Sequence, residues 1–223
     1  KKKYNVKIIE PNGQLIKNIR SFKPNVVFNA LHGRYGEDGY IQSILESEKI
    51  KYTHSGVLSS SIAIDKEISK KIFSKNNILT PKYIKFKFNK VIKKTGLIKK
   101  IKSKLGFPVV IKPFNEGSSV EVYICNKKDF FKKLNKLSPY KEVMIEKYIP
   151  GREIQVAIMG KRKLGAIELV PKRKFYDYQA KYDVKSKTEH IIPVKINNKK
   201  MNEVLNIALK AHKAIGCRGV TRS

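Results

Sequence analysis

Hydrophobic and polar positions change period several times along this chain. YNVKII (4–9) alternates and predicts a short strand, closed by the turn Pro11-Asn12-Gly13. A helical stretch over 14–22 follows, and then VVFNA (26–30), a continuous apolar run of the kind buried in parallel sheets. LHGRYGEDG forms a glycine-rich loop, after which Ile41, Ile44 and Leu45 fall at helical spacing. Strand, glycine-rich loop and helix in that order repeat the layout of open α/β sheets, whose ligands sit beyond the strand ends.

A second unit starts near Thr53-His54-Ser55-Gly56. Asp65 is placed to cap a helix with Ile68, Ile72 and Phe73 as its buried face, ended by Thr80-Pro81. Residues 89–104 read as an amphipathic helix on Val91, Ile92, Leu97, Ile98, Ile101 and Leu105, stopped by Gly106. FPVVIKP and VEVYI are predicted as strands joined hairpin-fashion through EGSS. A helix over 129–137 carries Phe130, Phe131, Leu134 and Leu137. VMIEKYI is a strand ending at Pro150-Gly151, EIQVAIM and KLGAIEL form a further hairpin, and the last helix, 201–215, ends at Gly216. The elements predict α/β plus α+β architecture: a partial Rossmann-like domain over 1–54, a central domain over 55–146 and a C-terminal domain over 147–223.

With 41% hydrophobic residues in 223, the chain has enough apolar side chains for a sizeable core. No run approaches membrane-span length, so no membrane partner is expected. Cys125 and Cys217 have no metal-ligand spacing. They are read as buried thiols in a reduced, cytoplasmic setting, with a single disulfide as the alternative. The net charge of +31 raises nucleic-acid binding. The lysines, however, are spread along the whole chain, without a zinc spacing, an arginine-rich arm or an RNA-binding signature. They are read as a solvated surface with no nucleic-acid partner, and a basic non-enzymatic nucleic-acid-binding protein stands as the alternative from a different class.

Lys112 leaves an apolar strand just ahead of the loop Glu116-Gly117-Ser118-Ser119. An ammonium beside a Gly-Ser turn suits a polyphosphate, as point charge and backbone N–H cradle. Each feature alone also fits a strand-end lysine and an ordinary hairpin turn. Glu146, Lys147 and Ile149 close a strand and Glu153 follows, an arrangement suited to a purine and its ribose hydroxyls. Lys66 supplies a third cation. No GxxxxGK[ST] occurs, so the combination suggests a nucleotide cleft other than a P-loop. FYDYQAKY (175–182) is aromatic, charged and without clear period, so it suits neither core nor ordinary surface.

ALHGRYGEDG, GVLSSSIAIDKEISK, FPVVIKPFNEGSSV, EKYIPGREIQVAI, FYDYQAKY and AIGCRGVTRS occur in one order and spacing over essentially the whole chain. Together they resemble the D-alanine–D-alanine ligases of the ATP-grasp superfamily. The resemblance implies ATP-dependent joining of two D-alanines through an acyl phosphate, for peptidoglycan precursors, by a cytoplasmic homodimer. It places Lys66, Lys112, Ser118, Glu146, Lys147, Ile149, Glu153, Phe175, Tyr176 and Lys181 at the nucleotide. Ser119 and Tyr182 fall on contacts over the first substrate, His32 near its carboxylate and amine, and Arg222 on the oxyanion of the tetrahedral intermediate. FYDYQAKY then corresponds to a lid that is exposed when open and buried when closed, and Tyr182 favours D-alanine over D-lactate as acceptor.

The resemblance also implies ligands for Mg²⁺ (or Mn²⁺), an aspartate directly after Ser223 and a Glu-x-Asn pair further on, so no metal ligand is expected within the chain. A substrate-binding glutamate is expected ahead of Lys1. Residues 1–223 are therefore expected to be a fragment shortened at both ends and inactive alone. Glu121 stands where the family usually has glycine. Another ATP-grasp carboxylate–amine ligase is the nearer alternative.

Overall fold

The computed structural model describes residues 3–88, 94–171 and 188–223. Near the N-terminus, α1 (Leu15–Phe22) and α2 (Tyr40–Ser47) meet around Ile19, Ile41 and Leu45. The alternation over 4–9 does not become a strand: these residues are mostly exposed and have no ladder partner among the described residues. A strand needs a neighbour for its backbone groups. The run 26–30 is likewise no buried strand. Val27 makes a single parallel bridge to Tyr52, while Val26 and Phe28 face outward.

Helix α3 (Val57–Ile64) leads into α4 (Lys66–Lys75), capped as expected by Asp65, which accepts from the Glu67 and Ile68 backbone N–H groups at 2.9 Å each. The expected apolar face of α4 forms only in part, with Ile72 and Phe73 half-buried. Ser69 and Lys70 are its buried residues, and Ile68 is exposed. Lys70 can turn inward because its ammonium meets the Glu146 carboxylate and the Pro81 carbonyl there.

The first sheet has the order β1-β4-β2-β3: β1 (Tyr83–Lys87), β2 (Val109–Pro113), β3 (Tyr123–Cys125) and β4 (Glu142–Lys147), all antiparallel. Helices α5 (Lys94–Lys104) and α6 (Phe130–Lys136) cover one face, and Leu97, Ile101, Phe130 and Leu134 pack on Val109, Ile111, Val143 and Ile145. Gly106 ends this helical segment at φ +76°, as its stop role requires. Cys125 is buried in this core and free, its thiol pushed up to about 12 by burial; Cys217 is also free and half-buried.

The second sheet has the order β7-β6-β5-β8, again antiparallel. It comprises β5 (Glu153–Met159), β6 (Arg162–Val170), β7 (Glu189–Ile191) and β8 (Val220–Arg222). Helix α7 (Asn198–Ala214) lies across it on Ala208 against Val156 and Ile158. It begins three residues ahead of the expected Met201, because the Asn197 side chain accepts from the Lys200 N–H at 2.8 Å. None of the described helices is long and apolar enough to cross a membrane.

Candidate functional site

Strand alternation decides which side chains of the first sheet meet the helices and which face away. Val109 and Ile111 of β2, with Val143 and Ile145 of β4, enter the core. Lys112 pairs with Met144 and Glu146 with Val110, so Lys112 and Glu146 share the opposite face as diagonal neighbours. Helix α4 approaches that face with Lys66 and Lys70, one turn apart on the same side. These four side chains form part of the wall of a cleft of about 1030 Å³.

Glu146 is the anion at the centre. One carboxylate oxygen accepts from Lys70 Nζ at 2.5 Å, and the other accepts from Lys112 Nζ. Lys70 Nζ also donates to the Pro81 carbonyl at 2.7 Å. Burial pulls the Lys70 ammonium down from its usual value, with Glu146 opposing. Lys66 Nζ donates to the carbonyls of Phe114 and Glu116. Burial, and then the positive charge of Lys112, bring its pKa down to about 8. Three ammonium groups and one carboxylate leave a local positive excess in a largely dry wall, the electrostatics an anion needs.

Two loops meet at the cleft. The Gly33 N–H donates to Glu37 Oε2, closing the turn after His32. Gly117 presses on Gly33 so closely that a Cβ there would lie 2.7 Å from the Gly33 Cα. Beyond Gly117, Ser118, Ser119 and Glu121 all hold positive φ, of 51°, 58° and 53°. Left-handed non-glycine residues in succession are costly and collect at ligand-binding loops. Among these residues, the unusual Glu121 accepts a hydrogen bond from the Tyr123 hydroxyl, which turns its carboxylate toward β3.

The C-terminal residues complete the far wall. The Ser59 hydroxyl donates to the Gly216 carbonyl at 2.7 Å, and the Ser55 hydroxyl donates to the Arg218 carbonyl at 3.1 Å. Arg222 sits at the end of β8, opposite Ala157, and lines the cleft, as does the exposed His32. Behind β8, His212 is buried, its Nδ1 2.7 Å from the Thr221 hydroxyl; burial lowers the imidazole pKa.

The cleft therefore brings together Lys66, Lys112, Glu146, His32 and Arg222 from five separate segments. Ser118 and Ser119 lie on the loop against Gly33. Lys147, Ile149 and Glu153 are not part of this wall. Lys147, the last residue of β4, and Ile149 beyond it are exposed, and Glu153 accepts from Gln155 Nε2 at 3.3 Å. Phe175, Tyr176, Lys181 and Tyr182 fall outside the described residues. Sequence reading missed Lys70, although its four-residue spacing from Lys66 was a usable signal. It also missed His212, which nothing in its local pattern distinguishes from a surface residue.

The family described as D-ala D-ala ligase C-terminus matches residues 72–223. The D-alanine–D-alanine ligase of Pelagibacter ubique is 63% identical over 220 residues, spanning 99% of this chain and 72% of that protein. The crystal structure of the Bacillus anthracis D-alanine–D-alanine ligase superposes with a TM-score of 0.81 at 35% identity, over 99% of this chain and 71% of that one. A Bacillus anthracis D-alanine–D-alanine ligase complexed with ATP gives a TM-score of 0.73 at 31% identity, over 94% of this chain and 65% of that one. The fold is that of the ATP-grasp enzymes, and the chain belongs to the D-alanine–D-alanine ligase family.

Proposed function

We propose that this chain binds ATP in the cleft between the two sheets and uses it to join two D-alanines. The observation that carries this reading is the group of three lysines from α4 and β2 around Glu146, beside the loop 116–119. Lys66 and Lys112 are assigned to the phosphates with Ser118, and Glu146, Lys147, Ile149 and Glu153 to the nucleoside. Ser119 and His32 take the first D-alanine, and Arg222 the oxyanion formed when the second amine attacks. Phe175, Tyr176, Lys181 and Tyr182 are assigned to closure over both. The substrate carboxylate would take the γ-phosphoryl group, and the second amine would then displace phosphate from the resulting acyl phosphate. Fixed ammonium groups aimed at the phosphates lower the cost of the developing charge.

Division into an N-terminal unit to 54, a central unit to 146 and a C-terminal unit from 147 belongs to the same reading. It is supported by the separate ladders of the two sheets. Magnesium is part of the proposed chemistry. Among the described residues no three His, Cys, Asp or Glu side chains gather as ligands; the lysines are assigned to the phosphates by their place in the cleft wall. A cytoplasmic homodimer is proposed from family membership.

Equilibrium ATP binding and thermal protection test the assignment. D-Alanine should raise the unfolding temperature of the ATP-loaded chain, as any ligand of the folded state does, and L-alanine and D-lactate should not. Lys112→Ala should weaken ATP by the worth of a charged hydrogen bond, ~1.5–3 kcal/mol. Equal protection by L-alanine, or unchanged ATP affinity in Lys112→Ala, would overturn it.

A further inference from the structure

Glu146 is shared by two lysines that are not equivalent. Lys70 is anchored: its ammonium bridges Glu146 Oε1 and the Pro81 carbonyl, and it lies 5.5 Å from the centre of the Tyr83 ring. Its side chain is 10% exposed. Lys112 is the more open partner at 19%, and its hydrogen-bond partner among the described residues is Glu146 alone. A carboxylate this buried cannot be left uncompensated, because a lone charge in a dry wall is strongly unfavourable. With one cation it would hold that cation fast. With two, one is free to leave.

We propose that Lys70 is a positioning residue for nucleotide binding: it stays on Glu146 as a permanent counter-ion, so that Lys112 can exchange the carboxylate for a phosphate. This rests on Lys112 being a phosphate ligand. Lys70 itself need not touch the nucleotide. It holds Glu146 in place through one oxygen and removes the penalty that would otherwise keep Lys112 paired. The helix supplies the means, since Lys66 and Lys70 share one face of α4, the first bonded to carbonyls beside the loop 116–119 and the second to Glu146.

The test is a double-variant cycle read by ATP affinity, with the unfolding midpoint of each protein measured alongside. Lys70→Met keeps the stem and removes the charge; it should weaken ATP roughly 10- to 100-fold, as losing compensation of one buried charge implies. In a Glu146→Gln background the same change should move affinity by less than about threefold, because no carboxylate remains to compensate. A purely structural lysine would lower the unfolding midpoint in both backgrounds and leave ATP affinity alone. Unchanged affinity in Lys70→Met, or the same loss in both backgrounds, overturns the role. If Lys70→Met does not fold, Lys70→Arg, which keeps the counter-ion, is compared with Lys70→Gln, which removes it: near-unaltered ATP affinity in the first with a tenfold or larger loss in the second supports the role, and equal affinities refute it. Failure of the unaltered chain to bind ATP removes the proposed function and this role with it. ATP binding that ignores Lys70 removes this role only.

Discussion

A single methyl group at Gly117 should force two loops of the cleft apart. The Cβ of Gly117→Ala would lie 2.7 Å from the Gly33 Cα, and 3.5 Å from both the Gly33 nitrogen and Glu37 Oε2. Carbon atoms in good contact sit about 3.5–4.0 Å apart, so the loops must separate by roughly 1 Å. The nearest atom is backbone, and it cannot swing aside like a side-chain end. Gly33 is held at φ +69°, and its N–H is bound by Glu37. Overpacking of this kind costs ~1–3 kcal/mol. In a domain of this size that is about 2–4 °C of unfolding temperature for each kcal/mol. Gly96→Ala serves as the opposite case. Its Cβ would meet nothing within 4 Å and it lies in α5, so alanine should stabilise by ~0.5–1 kcal/mol. Thermal unfolding of both variants, followed by circular dichroism, reads the two signs. Gly117→Ala should also weaken D-alanine protection, because His32 and Ser119 move apart with their loops. A Gly117→Ala protein that melts with the unaltered chain would refute the close approach of the two loops.

Lys66, with a pKa of about 8 against the ordinary 10.5, should make ATP binding pH-dependent. Phosphate needs the ammonium, so affinity should be highest below pH 8 and fall up to about tenfold per unit above it. The same group is more protonated in the unfolded chain between these two values, so its contribution to stability improves as pH rises through that window. Lys66→Arg, which does not titrate there, should flatten the binding profile; a flat profile in the unaltered chain would count against it. Asp65→Ala removes two N-terminal hydrogen bonds of α4 and should lower stability by ~0.5–2 kcal/mol in denaturant unfolding. No shift in the midpoint would mean that the cap contributes nothing.

Periodicity determined the elements whose partners lie close in sequence or whose pattern is strong. The β2–β3 pairing, the β5–β6 hairpin, α6 and the Asp65 cap all follow from alternation, helical spacing and turn residues, because those forces are local. The motif order was enough to mark Lys66, Lys112 and Glu146 as a candidate nucleotide site. Tertiary structure decided the rest. Whether 4–9 and 26–30 pair as strands depends on a neighbour that no local pattern names, and among the described residues only the Val27–Tyr52 bridge forms. Lys70 was passed over on α4, and Ile68 wrongly taken as buried, because hydrophobic spacing assumes an apolar wall. Here the wall is a buried carboxylate, and Lys70 becomes an inward residue only when Glu146 arrives from β4 to neutralise it. His212 likewise acquires its place from Thr221, carried in by β8 after a turn in the chain. Local sequence fixes what a residue can do, and a charged group's burial is settled only by the partner that the fold brings to it.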